Sequence, residues 1–329
     1  MRWGILGAAR IARTAVVPAI RAAGGDLVAV GSRDPERARK MAGELGIREA
    51  HPTYEAVLAA AVDCIYLPLP NSLHLPWALR ALAAGKHVLC EKPLALSAGE
   101  ALAMDVAART HGRVLGEALM YRYHPRWDQA LRLLRSGTIG EPRHVAGSFA
   151  FPLAPGDDYR WRTELGGGAL YDVGSYLVSA SRQVFRAEPL RALALARSRH
   201  GVDVRCDLLL DFGERGSAAL SCAFERGESQ WLRVEGEAGA LLIPLPFTAW
   251  TGQRVPLYLE RSPGAARERL EAPAADPYKE MADHFMKKVR TLEQPLSSAR
   301  EAAANLAVLD ACRRSMASGA AATVVMPPG

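Results

Sequence analysis

The sequence predicts an α/β protein: an N-terminal doubly wound parallel sheet of the Rossmann type, then a C-terminal α+β domain on a mostly antiparallel, open-faced sheet. Three observations predict it. Short apolar runs alternate with amphipathic helix-length stretches over the first third of the chain. The first run ends in the glycine-marked turn Gly7-Ala8-Ala9-Arg10-Ile11-Ala12. From about Arg143 the pattern changes to closely spaced strand-like runs with few helices between them. The boundary is placed so that residues 1–121 form a dinucleotide-binding domain and residues 122–329 a substrate-binding and oligomerisation domain.

In chain order, the strand-like runs of the first part are Arg2–Gly7, Leu27–Gly31, Cys64–Pro68, His87–Cys90 and Val114–Ala118. The helical stretches are Ile11–Ala23, Pro35–Leu45, Tyr54–Ala60, Pro76–Ala84 and Ala98–Thr110. A βαβα rhythm of this kind buries a parallel sheet on both faces. Asp34-Pro35 is a good helix start, an N-cap followed by a proline in the first turn. Gly85 stops its helix as a C′ glycine does. In the second part Arg143–Phe151, Leu190–Arg199, Val204–Asp211, Ser217–Phe224, Trp231–Glu235, Ala240–Ile243 and Pro256–Glu260 read as strands. Turn residues such as Phe212-Gly213-Glu214-Arg215-Gly216 make antiparallel hairpins of them. Helical segments are predicted at Gly168–Arg186, Pro277–Thr291 and Ser298–Ala317.

Composition narrows the class. Hydrophobic content of 49% and charged content of 23% are those of an ordinary globular protein. Met1-Arg2-Trp3 runs straight into a strand, so no targeting segment is expected, and no apolar stretch approaches the roughly 20 residues of a membrane span. The five cysteines are scattered, which speaks for a reducing compartment and a cytoplasmic location. The net charge of +6 is dispersed, so neither nucleic acid nor membrane is an expected partner. No metal-ligand cluster stands out.

The turn after the first strand keeps the first glycine of the dinucleotide fingerprint, with Ala9 and Ala12 at the other two small positions. Gly7 permits the tight turn, and the backbone of Ala8, Ala9, Arg10 and Ile11 then meets a pyrophosphate at a helix N-terminus. The second strand ends in Ser32-Arg33-Asp34, where an NAD site usually carries an acid for the ribose 2′-hydroxyl. A hydroxyl and a guanidinium there, with Arg37 one turn on, suit a 2′-phosphate. NADP is therefore favoured over NAD. Pro70, Asn71 and His74 follow Cys64–Pro68 at the expected switch point of the sheet, where they either line the cofactor crevice or serve as turn, capping and packing residues.

The reacting centre is read from two runs. Glu91-Lys92-Pro93 puts a lysine just past a buried strand. Beside an oxidised nicotinamide, like-charge repulsion and partial burial push that lysine toward acid–base work. Glu91 is placed to hold it, and a solvated strand end is the plain alternative. Further on, Gly166-Gly167-Gly168 opens a helix carrying Asp172 and, one turn later, Tyr176. Gly174 inside that helix costs about 1 kcal/mol against alanine, which predicts a close neighbour. Carboxylate and phenol suit alcohol oxidation, with Asp172 orienting a hydroxyl and Tyr176 relaying a proton; a packed tyrosine and a solvated aspartate are the plain alternative.

These runs resemble the glucose–fructose oxidoreductase, inositol dehydrogenase and rhizopine-catabolism (Gfo/Idh/MocA) family over nearly the whole chain. The resemblance rests on Trp3-Gly4-Ile5-Leu6-Gly7, Pro70-Asn71-Ser72-Leu73-His74, Glu91-Lys92-Pro93 and Gly167-Gly168-Ala169-Leu170-Tyr171-Asp172-Val173-Gly174. Many members carry histidine where this chain has Tyr176. That difference, with Glu117 to Pro125, resembles the branch of dimeric dihydrodiol dehydrogenases, NADP-dependent D-xylose dehydrogenases and glucose–fructose oxidoreductase. The branch implies Lys92 and Tyr176 as proton-transfer groups, Asp172 positioning a sugar, polyol or cyclic diol, and Arg122, Tyr123 and His124 shaping the pocket. It also implies a homodimer or homotetramer paired through the C-terminal sheet. Two rivals remain: a non-catalytic NADP- and sugar-binding sensor of the same fold, and an NAD-dependent glycoside hydrolase.

Overall fold

The computed structural model describes residues 1–248, 252–261 and 266–326. It divides into two compact units, Met1–Tyr123 with Asp276–Ala303, and His124–Ala275 with Ala304–Gly329.

The first unit is built on six parallel strands: β1 Arg2–Leu6, β2 Asp26–Gly31, β3 Glu49–His51, β4 Cys64–Leu67, β5 His87–Cys90 and β6 Leu115–Glu117. Their order is β3-β2-β1-β4-β5-β6. The order reverses between β1 and β4, so the crevice of a doubly wound sheet opens beyond the C-terminal ends of these strands. Trp3, Ile5, Ile65, Tyr66, Val88 and Leu89 are at most 1% exposed, as helices on both faces require. Strand β3 was not foreseen: Glu49-Ala50-His51 is short, polar and at the edge, so neither periodicity nor composition marks it.

The domain boundary needs one correction. The helix Pro277–Thr291 was expected in the second domain but belongs to the first unit. Its apolar face explains this: Met281, Phe285 and Val289 are buried, and the Phe285 ring lies 5.6 Å from that of Trp3 in β1. Hydrophobic periodicity predicted the helix but carried no address for the face.

Among its described residues the second unit holds nine strands: β7 Pro142–Ala150, β8 Arg191–Arg199, β9 Val202–Asp211, β10 Ser217–Ala223, β11 Ser229–Gly236, β12 Gly239–Pro244, β13 Leu257–Glu260, β14 Glu268–Leu270 and β15 Ala322–Thr323. The order is β14-β13-β12-β11-β7-β10-β9-β8-β15, antiparallel except for the β7–β10 pair. One face packs under the helix Ser175–Phe185, with Ala194, Leu208, Leu220 and Val145 buried. The other face is open, and there Leu195 is 65% and Leu209 48% exposed. Among the described residues no helix is long and apolar enough to cross a membrane.

Candidate functional site

In the first unit, the residues expected to meet a cofactor collect at the C-terminal ends of β1, β2, β4 and β5. Gly7 has φ +113°, and a Cβ there would stand 2.8 Å from Leu69 Cδ2, so only glycine fits. Its N–H donates to the Gly31 carbonyl at 2.8 Å, fixing the turn against β2. Ala8 is buried, Ala9 and Ile11 are half-buried, and Arg10 is exposed at the start of the helix.

At the end of β2, Ser32 is buried and Arg33 exposed. Asp34 is occupied: its Oδ1 accepts the N–H groups of Glu36 at 3.0 Å and Arg37 at 3.4 Å, capping the helix Pro35–Leu45. Arg33 stands beside the Tyr54 hydroxyl, whose ionisation burial pushes up and Arg33 pulls back down. Arg37 reaches back and donates to the Ala8 carbonyl at 3.2 Å, bracing the dinucleotide turn.

The loop after β4 differs from expectation at one residue. Pro70 leads into a single turn of helix at Asn71–Leu73, and Asn71 is buried. His74, read as a cofactor contact, is fully buried, and its two ring nitrogens face the Pro93 carbonyl at 2.9 Å and the Leu69 carbonyl at 2.8 Å. Burial holds its pKa below the ordinary histidine value against the opposing carbonyls. With both nitrogens facing main-chain carbonyls, His74 ties the β4 loop to the β5 loop, the packing role that was one of its two readings.

Glu91-Lys92-Pro93 follows β5, and the Lys92–Pro93 peptide is cis. Glu91 Oε1 accepts the Tyr66 hydroxyl at 2.6 Å, and its Oε2 accepts the Lys92 N–H at 3.4 Å. Burial, then the Glu91 charge, push the Tyr66 phenol well above its ordinary range, so it stays a donor. The far side of the turn is held by Glu117, 3% exposed, whose Oε1 accepts the Leu94 N–H at 2.9 Å. Lys92, itself half-buried, is thus framed by two anchored carboxylates on its own loop and on β6.

In the second unit, the triple glycine opens the helix that carries Asp172 and Tyr176. The segment Leu170–Gly174 winds as a π-turn before α-helix sets in at Ser175. Such turns often mark functional positions. Asp172 is not solvated: it is 4% exposed, and Arg160 Nε donates to its Oδ2 at 2.8 Å. The Tyr176 ring is 6% exposed between Phe149, at 5.5 Å, and Phe247, at 5.3 Å. The close neighbour expected at Gly174 is Cys222, whose Sγ would lie 3.1 Å from an added Cβ.

The three residues expected to shape a pocket each make an anchoring contact. Arg122 pairs with Glu301, the Tyr123 hydroxyl accepts the Ser297 N–H, and His124 caps the helix Pro125–Arg135.

Sequence reasoning missed Arg160, Asp203, Phe149 and Phe247. Asp203 enters from β9, placed by the His200-Gly201 hairpin turn with φ +53° and +82°. Its Oδ2 accepts the Leu170 N–H at 2.7 Å, and its carboxylate fills the space a Cβ on Gly168 would need. That long-range cap leaves no local signal; the Asp158-Tyr159-Arg160 cluster before the glycines was visible but unassigned. Burial raises the Asp203 carboxyl pKa, so its charged form costs stability at neutral pH, and this loss is relieved as pH falls through the raised value. Asp203→Ala is expected to destabilise by about 1–3 kcal/mol through the orphaned N–H. Asp203→Asn, which keeps an acceptor and drops the charge, should change stability far less in thermal unfolding. Equal losses in both variants would contradict the cap.

Comparison with known proteins agrees with this architecture. Residues 1–119 match the model of an oxidoreductase family with an NAD-binding Rossmann fold, and residues 127–242 match the GFO/IDH/MocA C-terminal domain. The chain is 36% identical over 325 residues to D-xylose 1-dehydrogenase (NADP(+)) 2 of Haloferax volcanii, covering 98% of this chain and 99% of that one. It is 36% identical over 299 residues to a dTDP-3,4-didehydro-2,6-dideoxy-alpha-D-glucose 3-reductase of Streptomyces violaceoruber, covering 89% and 86% of the two. A solved 3-ketoreductase from Actinomadura kijaniata, in complex with NADP and TDP-benzene, superposes with a TM-score of 0.90 at 31% identity over 96% of this chain and 97% of that one. Solved variants of that ketoreductase carry single substitutions at a lysine and at a tyrosine, as far apart along its chain as Lys92 and Tyr176 are here. On both halves of its sequence, this chain belongs to the GFO/IDH/MocA oxidoreductase family.

Proposed function

We propose that this protein is an NADP-dependent dehydrogenase or reductase that moves a hydride between the nicotinamide and a carbinol carbon of a sugar, polyol or cyclic diol. The observation that carries the reading is the placement of Lys92, on an anchored loop at the same strand ends as the dinucleotide turn. The residues fit the cofactor. Gly7 makes the tight, positive-φ turn that a dinucleotide fingerprint needs, and the one acid at the end of β2 caps a helix, which leaves Arg33 for a 2′-phosphate. The xylose dehydrogenase and ketoreductase relatives support both the cofactor and a sugar substrate.

NADP, when bound, accepts or supplies the hydride. The chain's own residues manage the proton and the geometry. Lys92 and Tyr176 take the hydroxyl proton in oxidation and return it in reduction, and Asp172 holds the hydroxyl in line. The apolar walls of Phe149 and Phe247 fix the phenol ring of Tyr176. Turnover of aldoses, inositols and trans-dihydrodiols with NADP⁺ and NAD⁺ tests this reading. Reduction of NADP⁺ in preference to NAD⁺ with one of these classes is expected, and D-xylose is the first to try.

The open face of the second sheet supports a homodimer or a homotetramer built from it. In register across it lie Leu195, Asp207, Ser221, Ser148 and Trp231, and beside them Leu193, Leu209 and Ala219. Leu195, Leu209 and Trp231 are its exposed large apolar side chains, an apolar cluster that supports pairing through this face. Leu195→Glu with Leu209→Lys should yield monomers in sedimentation velocity; an unchanged sedimentation coefficient would place the interface elsewhere. Five buried free thiols suit a reducing cytoplasm.

A further inference from the structure

We propose that Arg160 is a positioning residue for the reaction, acting by setting the carboxylate of Asp172; this rests on the substrate-orienting role of Asp172 proposed above. Main chain and side chain of Arg160 converge on that aspartate. Its Nε donates to Asp172 Oδ2 at 2.8 Å, while Nη1 bridges both oxygens of Asp158 at 3.2 and 3.0 Å. The guanidinium also lies over the Tyr159 ring at 5.1 Å. It is therefore held by a second carboxylate and an aromatic face before it meets Asp172.

The backbone repeats the grip. The Arg160 carbonyl accepts the Gly168 N–H at 3.1 Å, and the Gly168 carbonyl accepts the Asp172 N–H at 3.1 Å. A Cβ on Gly167 would lie 2.4 Å from the Arg160 oxygen, so the glycine run exists partly to let this segment close over the helix start. The Asp172 side chain is 5% exposed and that of Arg160 23%, so solvent screens the pair weakly. Burial alone would lower the guanidinium pKa, but Asp172, Tyr159 and Asp158 outweigh it and hold Arg160 charged. A buried carboxylate with a fixed cation on one oxygen has a defined orientation, which a hydroxyl-aligning group requires.

The test is a double-mutant cycle on the full-length enzyme with the sugar that the parent oxidises: Arg160→Met, Asp172→Asn and the double variant, with Arg160→Lys alongside. Arg160→Met is expected to lower kcat/KM about 10- to 100-fold, the worth of one charge-assisted hydrogen bond. NADP⁺ affinity should hold within a few-fold. The double variant should be no worse than Asp172→Asn alone, and Arg160→Lys should recover part of the loss. Losses that multiply in the double variant would overturn the proposal, as would wild-type kcat/KM in a folded Arg160→Met or Arg160→Lys. If Asp172→Asn alone turns over normally, the role given to Asp172 fails and Arg160 loses its route to the substrate.

Discussion

Lys92→Ala is expected to lower kcat by about 10²- to 10⁴-fold, the range that a positioned acid–base group supplies, while NADP⁺ binds within a few-fold of the parent. The separation of the two effects follows from the fold. Lys92 lies in the loop after β5, whereas the pyrophosphate and ribose contacts are assigned to the ends of β1 and β2. The loop should survive the substitution. Glu91 keeps its bond from Tyr66, Leu94 keeps its bond to Glu117, and His74 keeps its place against Pro93. Steady-state kinetics with fluorescence titration of NADPH measures both. Lost cofactor affinity with undiminished turnover at saturation would make Lys92 a phosphate contact instead.

Arg33→Ala is expected to weaken NADP⁺ binding about 10- to 100-fold, again the worth of one charge-assisted contact, and to leave NAD⁺ binding nearly unchanged. The reason lies in what Asp34 is doing. A carboxylate at this strand end would ordinarily take the ribose 2′-hydroxyl, but Asp34 accepts two backbone N–H groups of the next helix. Arg37, read from sequence as a second phosphate contact, donates to the Ala8 carbonyl, so its loss should disturb both cofactors through the turn. Isothermal titration with both nucleotides separates these cases. Equal weakening of NAD⁺ and NADP⁺ by Arg33→Ala would remove the 2′-phosphate assignment.

Much of this was legible in the sequence because it is encoded locally. Buried parallel strands are continuous apolar runs, helix starts carry caps, and Gly7 marks a turn that only glycine can make. The glycines before Asp172 and the Gly174 anomaly likewise announced a crowded helix. What escaped was set by partners distant in sequence. Asp203 caps the helix from another strand, and Phe247 reaches Tyr176 from the loop after β12. His74 was legible as a residue worth naming but not as a clamp between two carbonyls. The helix Pro277–Thr291 was predicted in place, yet its partner Trp3 lies at the other end of the chain. Sequence periodicity shows that a face is apolar; it does not show what covers it.

The central claim is hydride transfer between NADP and a carbinol carbon, and isotope transfer tests it most directly. The purified protein, NADP⁺ and an aldose deuterated at its oxidisable carbon would be incubated, and the nicotinamide ring examined by proton NMR. The account predicts deuterium at C4 of NADPH, formed with the parent protein and nearly absent with Lys92→Ala. Tight NADP binding with no deuterium on the ring, across aldoses, inositols and dihydrodiols, would contradict it and leave a nucleotide- and sugar-binding sensor on the same fold.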